Sequence, residues 1–210
     1  MTLSAKDEFI VSIDRVLRTL WSAKGSERPS PAQGIAEREL TDEERSHAAG
    51  LMRVNHAGEV CAQALYLGHA VTARSSGVRE VMQQAAREEE DHLAWCRERL
   101  EQLKSRPSRL DPLWFALSFG MGALTGIAGD RLSLGFVAAT EDEVCRHLDR
   151  HERALPESDD KSRAIVNQMR DEEARHGTHA LEAGGWDFPQ PAKDVMALVA
   201  KVMTTTSYRI

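Results

Sequence analysis

A chain of 210 residues is long enough for one domain with a well-buried core. With 41% hydrophobic and 29% charged residues its composition is that of a soluble folded protein, which excludes a disordered one. A net charge of −6 excludes the concentrated basic face that a nucleic-acid partner needs, and three scattered cysteines without a CxxC pair exclude a thiolate zinc site and favour a reducing compartment. The N-terminus has no apolar signal core, and Asp7, Glu8 and Asp14 do not suit a transit peptide. The expected setting is therefore cytosolic and bacterial.

In chain order, Phe9, Ile10, Ile13, Val16, Leu17 and Leu20 predict an amphipathic helix over 3–21. Gly25, Pro29, Pro31 and Gly34 then mark residues 22–40 as a loop or linker, which separates an N-terminal piece (1–40) from the main domain (41–210). Thr41 followed by Glu44 is a capping box, opening a long helix that should reach Arg74. Ser75-Ser-Gly77 breaks it, and a second helix should span 78–104 before Pro107 and Pro112. Between Asp111 and Asp130 there is no charge at all. That stretch is too long for a tight hairpin and fits the crossover of a ferritin-like bundle. Two further helices are expected over 131–155 and 162–182, then a turn at Gly184–Pro189 and a last helix with Val195, Leu198, Val199 and Val202 on one side. No stretch alternates like a strand, so the fold class is all-α.

Each of the four central helices carries an acid within an apolar stripe at helical spacing: Glu59 on the first, Glu89 with His92 on the second, Glu141 on the third, Glu173 with His176 on the fourth. Unpaired carboxylates in a core cost several kcal/mol or take up protons, and four of them converging would repel one another. Two divalent cations remove both penalties, and hard carboxylate oxygens with two imidazoles suit iron or manganese. Glu44 and His47 share the ExxH spacing but fall off the Glu59 face, as solvated surface. Glu88 and Glu172 also stand near the two histidines, but helical phase favours Glu89 and Glu173. His147 is either a partner that orients a ligand or a half-exposed helix histidine. His56 and the three cysteines read as packing residues, Tyr66 as core or a hydrogen-bonding neighbour, and His69, His151 and His179 as surface. The uncharged 112–129 stretch, interrupted by glycines, is too short to span a bilayer. It is either a buried connection or, the favoured reading, an apolar surface or mouth meeting lipid or an apolar substrate, with Trp114 and Phe115 as interfacial anchors.

Arg53-Val-Asn-His-Ala-Gly-Glu59, Glu89-Glu-Asp-His92, Leu124-Thr-Gly-Ile-Ala-Gly-Asp130 and Glu141 together resemble the demethoxyubiquinone hydroxylase family of ubiquinone biosynthesis over about residues 45–210. The resemblance implies a di-iron monooxygenase that hydroxylates a polyprenylated methoxy-methyl-benzoquinone ring with O2. It implies two iron ions held by Glu59, Glu89, His92, Glu141, Glu173 and His176, with Glu89 and Glu173 bridging. It also implies a peripheral place on the cytoplasmic side of the bacterial inner membrane, with other ubiquinone-biosynthesis proteins or a second copy of the chain as further partners. Alternatives from the residues alone are an iron-oxidising or storage protein of the ferritin type, a peroxidase of the rubrerythrin type, a di-iron hydroxylase acting on something other than a quinone, and a helical scaffold without catalysis.

Overall fold

The computed structural model describes residues 26–210, so the helix expected over 3–21 lies outside the described residues. Six helices follow, and no strand occurs among the described residues: α1 (Asp42–Thr72), α2 (Ser76–Gln102), α3 (Asp111–Ala128), α4 (Asp130–Ala154), α5 (Asp160–Glu182) and α6 (Gln190–Ser207). The capping box that opens α1 is formed as expected. Thr41 Oγ1 accepts the amide of Glu44 at 3.2 Å, while Glu44 Oε2 accepts the amide of Thr41 at 2.9 Å. Asp42, Glu43 and Glu44 in the first turn also complement the positive end of the helix.

Long-range contacts fix the helix directions. Along α1 and α4, Asn55 meets His151, Tyr66 meets Glu141 and His69 meets Ser133, so these two run antiparallel. Along α2 and α5, Glu88 meets His176, His92 meets Glu172 and Arg99 meets Ser162, again antiparallel. Because α2 also returns along α1 after the short 73–75 turn, α2 and α4 run parallel. That is the up-down-down-up arrangement of a ferritin-like bundle.

The connection between α2 and α4, an uncharged crossover by sequence, is itself a helix. Helix α3 lies along the outer side of α1, its backbone so close that only glycine fits at the contact. A Cβ on Gly122 would strike the carbonyl oxygen of Leu65, one on Gly68 that of Phe119, and one on Gly126 the hydroxyl of Thr72. Phe115 fills the layer between, with Val60, Ala64, Leu67 and Leu93. Helix α1 is therefore covered on two sides, and buried side chains run around most of its circumference. His69 is one of them. It is expected at the surface from sequence, but its Nδ1 meets Ser133 Oγ in the interior.

The apolar core falls into two layers separated by a polar one. One layer holds Leu51, Met52, Trp95, Leu100, Leu148 and Met169, and the other holds Leu65, Met82, Ala85, Leu134, Val137 and Ala180. Residues 59, 89–92, 141 and 173–176 come between them on every helix of the bundle. The segment 26–40 forms no helix and is not loose. Ala32 and Leu40 join the first layer, and Glu37 pairs with Arg99 at 2.8 Å.

Candidate metal centre

All six predicted site residues lie in the polar layer, none more than 8% exposed. Glu59 comes from α1, Glu89 and His92 from α2, Glu141 from α4, and Glu173 and His176 from α5. Single ligand atoms of Glu59, Glu89, His92 and Glu173 lie within 4.8 Å of one another, close enough to hold one cation. Nδ1 of His92 is 3.0 Å from both Glu89 and Glu173 and 3.5 Å from Glu59. Nδ1 of His176 stands 3.0 Å from Glu89 and 3.2 Å from Glu173. Glu89 and Glu173 thus face both imidazoles, with Glu59 at the His92 side. Glu141 sits near the other, its Cβ at the turn of α5 that follows His176.

One carboxylate oxygen of each acid (Glu59 Oε2, Glu89 Oε1, Glu141 Oε2, Glu173 Oε1) is buried without a hydrogen-bond partner. For Glu89 and Glu173 this holds although an imidazole nitrogen of the opposite helix lies 3.0 Å away. These two contacts are ion pairs that lack hydrogen-bond geometry. Four such oxygens would be a heavy cost in an interior whose polar atoms are nearly always satisfied. The donor set and these orphaned oxygens together fit a metal site.

Two carboxylates that the sequence reading set aside complete the geometry. Nε2 of His92 donates to Glu172 at 2.6 Å, and Nε2 of His176 donates to Glu88 at 2.7 Å. A carboxylate can only accept, so each Nε2 carries its hydrogen and each Nδ1 faces the centre. The contacts run crosswise, α5 serving the histidine of α2 and α2 serving that of α5. In the sequence Glu88 and Glu172 stand beside the histidines of their own helices, and spacing cannot show which helix lies opposite.

The charges of this layer are strongly interdependent. Burial, then the charge of Glu89, holds Glu59 well above the usual carboxylate range, and burial with Glu173 and Glu89 does the same to Glu141. Glu89 is held well below that range despite burial, because His92 and His176 flank it. Burial would lower both histidines. Glu89 and its neighbours instead push His92 well up, and Glu173 and Glu89 push His176 up to about 12. Tyr66 donates to Glu141 Oε1 at 2.6 Å, leaving Oε2 of that acid turned inward.

Other candidates fall outside the set. His56 pairs with Asp111 at 3.1 Å, tying the start of α3 to α1. His147 is buried, not half-exposed, and its ring packs on His151 at 5.2 Å without reaching a predicted ligand. His151 is half-buried and bonded to Asn55 at 2.6 Å, whereas His179 is exposed as expected. Trp114 and Phe115 do not face outward: Phe115 is buried, and Trp114 donates to Ser207 at 3.1 Å. Beside His176 a cavity of about 520 Å³ opens to the surface, lined by Tyr66, Met82, Ala85, Glu88 and Val137.

Residues 46–207 match the family described as "Ubiquinone biosynthesis protein COQ7". The chain belongs to this family. It is 59% identical over 208 residues to a 3-demethoxyubiquinol 3-hydroxylase of Azotobacter vinelandii, covering 99% of this chain and 97% of the relative. The enzyme of that name from Stutzerimonas stutzeri is 57% identical with the same coverage. One from Pseudomonas aeruginosa is 56% identical over 205 residues, 97% of this chain and 95% of the relative.

Proposed function

We infer that the chain is a 3-demethoxyubiquinol 3-hydroxylase of ubiquinone biosynthesis, whose centre is a pair of iron ions held by Glu59, Glu89, His92, Glu141, Glu173 and His176. The observation that carries this reading is the buried polar layer, in which four carboxylates each leave an oxygen unpaired and two imidazoles are turned inward by crosswise partners. Glu89 and Glu173 are suited to bridge, since each lies 3.0–3.2 Å from both Nδ1 atoms. Glu59 with His92, and Glu141 with His176, complete the two halves.

When bound, a reduced iron pair supplies the electrons and the site at which O2 is activated. The chain's own part is to hold and shield. The apolar layers on either side of the centre exclude water along the bundle, leaving the cavity beside His176 as the open approach. Tyr66 restricts Glu141 to one orientation, and Glu88 and Glu172 keep the imidazoles from turning. The quinol ring, an apolar O2 and a reductant are the partners this reading requires.

Membrane contact belongs to the same proposal. Leu113, Leu117, Met121, Leu124 and Ile127 form an exposed stripe on α3, each 45–65% exposed. Val195, Leu198, Val199 and Val202 form another on α6, each 58–66% exposed. No helix of the described residues is long and apolar enough to cross a membrane. Two helices lying in the lipid surface, on the cytoplasmic side of the inner membrane, would let the prenyl tail stay in lipid while the ring enters the protein.

Iron-loaded protein with demethoxyubiquinol in vesicles, O2 and a chemical reductant should yield the ring-hydroxylated product, and Glu173→Ala should yield none. Absence of product from the loaded wild-type protein would overturn the reading.

A further inference from the structure

Among the described residues, the segment 26–40 reaches one half of the centre and not the other. Arg28 places Nε 2.5 Å from Asp91, one terminal nitrogen 2.7 Å from Glu172 Oε1 and the other 3.0 Å from Glu172 Oε2. Its guanidinium lies 4.9 Å over the ring of Trp95, whose Nε1 donates to the Arg28 carbonyl at 3.4 Å. The backbone of Glu27 adds a bond to Asp91 at 2.7 Å. Glu172 Oε2, held in this fork, is the oxygen that accepts Nε2 of His92. Gln168 holds the other oxygen at 2.6 Å. On the opposite side Glu88 has, among the described residues, only Gln84 at 2.8 Å besides His176, and its side chain is 38% exposed beside the cavity.

We propose that Arg28 is a positioning residue of the metal centre: by forking Glu172 it locks the imidazole of His92, and so makes the His92 half the tighter of two unequal metal positions. The physical reason is the rigidity of a bidentate guanidinium–carboxylate pair, which a lysine cannot reproduce. A metal-bound histidine loses affinity when the acceptor of its second nitrogen is disturbed. The inference rests on the dinuclear reading and goes beyond it, because none of the six ligands implies a role for residue 28.

The test is iron binding measured against a competing chelator, with Mössbauer spectra of the loaded protein, for wild type, Arg28→Ala, Arg28→Lys and Arg38→Ala. Arg38 belongs to the same segment but, among the described residues, pairs only with Asp160, at 3.2 Å on the surface. Arg28→Ala should weaken one ion by about 10- to 100-fold and shift one of the two iron signals, leaving the other ion within about threefold. Arg28→Lys should fall between, and Arg38→Ala should match wild type. Equal weakening of both ions, unchanged binding in Arg28→Ala, or the same loss in Arg38→Ala would overturn the proposal. If Arg28→Ala does not fold, Arg28→Lys carries the test by the same criterion of one ion against both. Wild-type protein binding fewer than two ions would overturn the dinuclear reading itself, which separates the two failures.

Discussion

Glu172 on α5 accepts the Nε2 hydrogen of His92 on α2 at 2.6 Å. Glu88 returns the arrangement to His176 at 2.7 Å, so two inward imidazoles are each steered from the helix across the bundle. The consequence is that ligand orientation depends on how α2 and α5 are registered, not on either helix alone. A slip of one helical turn would move both acceptors away together.

Glu88→Ala should therefore weaken iron binding by about 10- to 100-fold while leaving the fold intact, since Glu88 is partly exposed and touches little else. Chelator competition and circular dichroism measure the two effects separately. Unchanged affinity would show that the crosswise contact does not orient His176.

The centre trades stability for binding. Glu141 is buried and repelled by Glu173 and Glu89, with one oxygen lacking a partner. Glu141→Gln removes the repulsion at nearly constant shape, so the metal-free protein should gain about 1 kcal/mol, seen as a rise in Tm of roughly 2–4 °C. The same variant should fail to bind two ions. A fall in the metal-free Tm would mean that the carboxylate is not under electrostatic strain.

That six acids and histidines share one buried layer is legible because each interrupts an apolar stripe in phase with the helix, and the bundle follows from their spacing. Helical phase passes over Glu88 and Glu172 as ligands, and only tertiary register places them opposite His176 and His92. Arg28 sat in a stretch of glycine and proline that reads as linker, and no local pattern marks its reach to Glu172. His69 was assigned to solvent because a one-sided stripe was assumed for α1. Helix α3 covers the second side, and the four-residue spacing of Gly122 and Gly126 was the available sign of that close approach.

Burial makes histidines a source of acid sensitivity away from the centre. It pushes His69 and His147 down to about 4, and His151 further, to about 3. In the unfolded chain they titrate near about 6.5, so between these values the unfolded state binds more protons. Stability is then complete above pH of about 6.5 and lost as the pH falls towards 4, on the order of 3 kcal/mol for each fully buried imidazole. Melting temperature against pH should show this slope, and His69→Gln should flatten it. An unaltered slope in that variant would remove His69 from the account.

The apolar stripes of α3 and α6 predict binding to vesicles. Each exposed leucine withdrawn from water contributes roughly 1.5–3 kcal/mol. Leu117→Asp combined with Leu124→Asp should thus lower vesicle partitioning by roughly 100-fold or more, without loss of iron, because both side chains point away from the bundle. Sedimentation with liposomes reads the first effect and metal analysis the second. Full retention on vesicles would exclude α3 as the contact.

The account turns on the six side chains of the polar layer sharing two cations. Anomalous scattering at the iron edge from crystals of the iron-loaded protein locates those ions directly. Two peaks flanked by Glu89 and Glu173, one beside Glu59 and His92 and the other beside Glu141 and His176, are the predicted result. A single peak, or iron bound away from this layer, would contradict it.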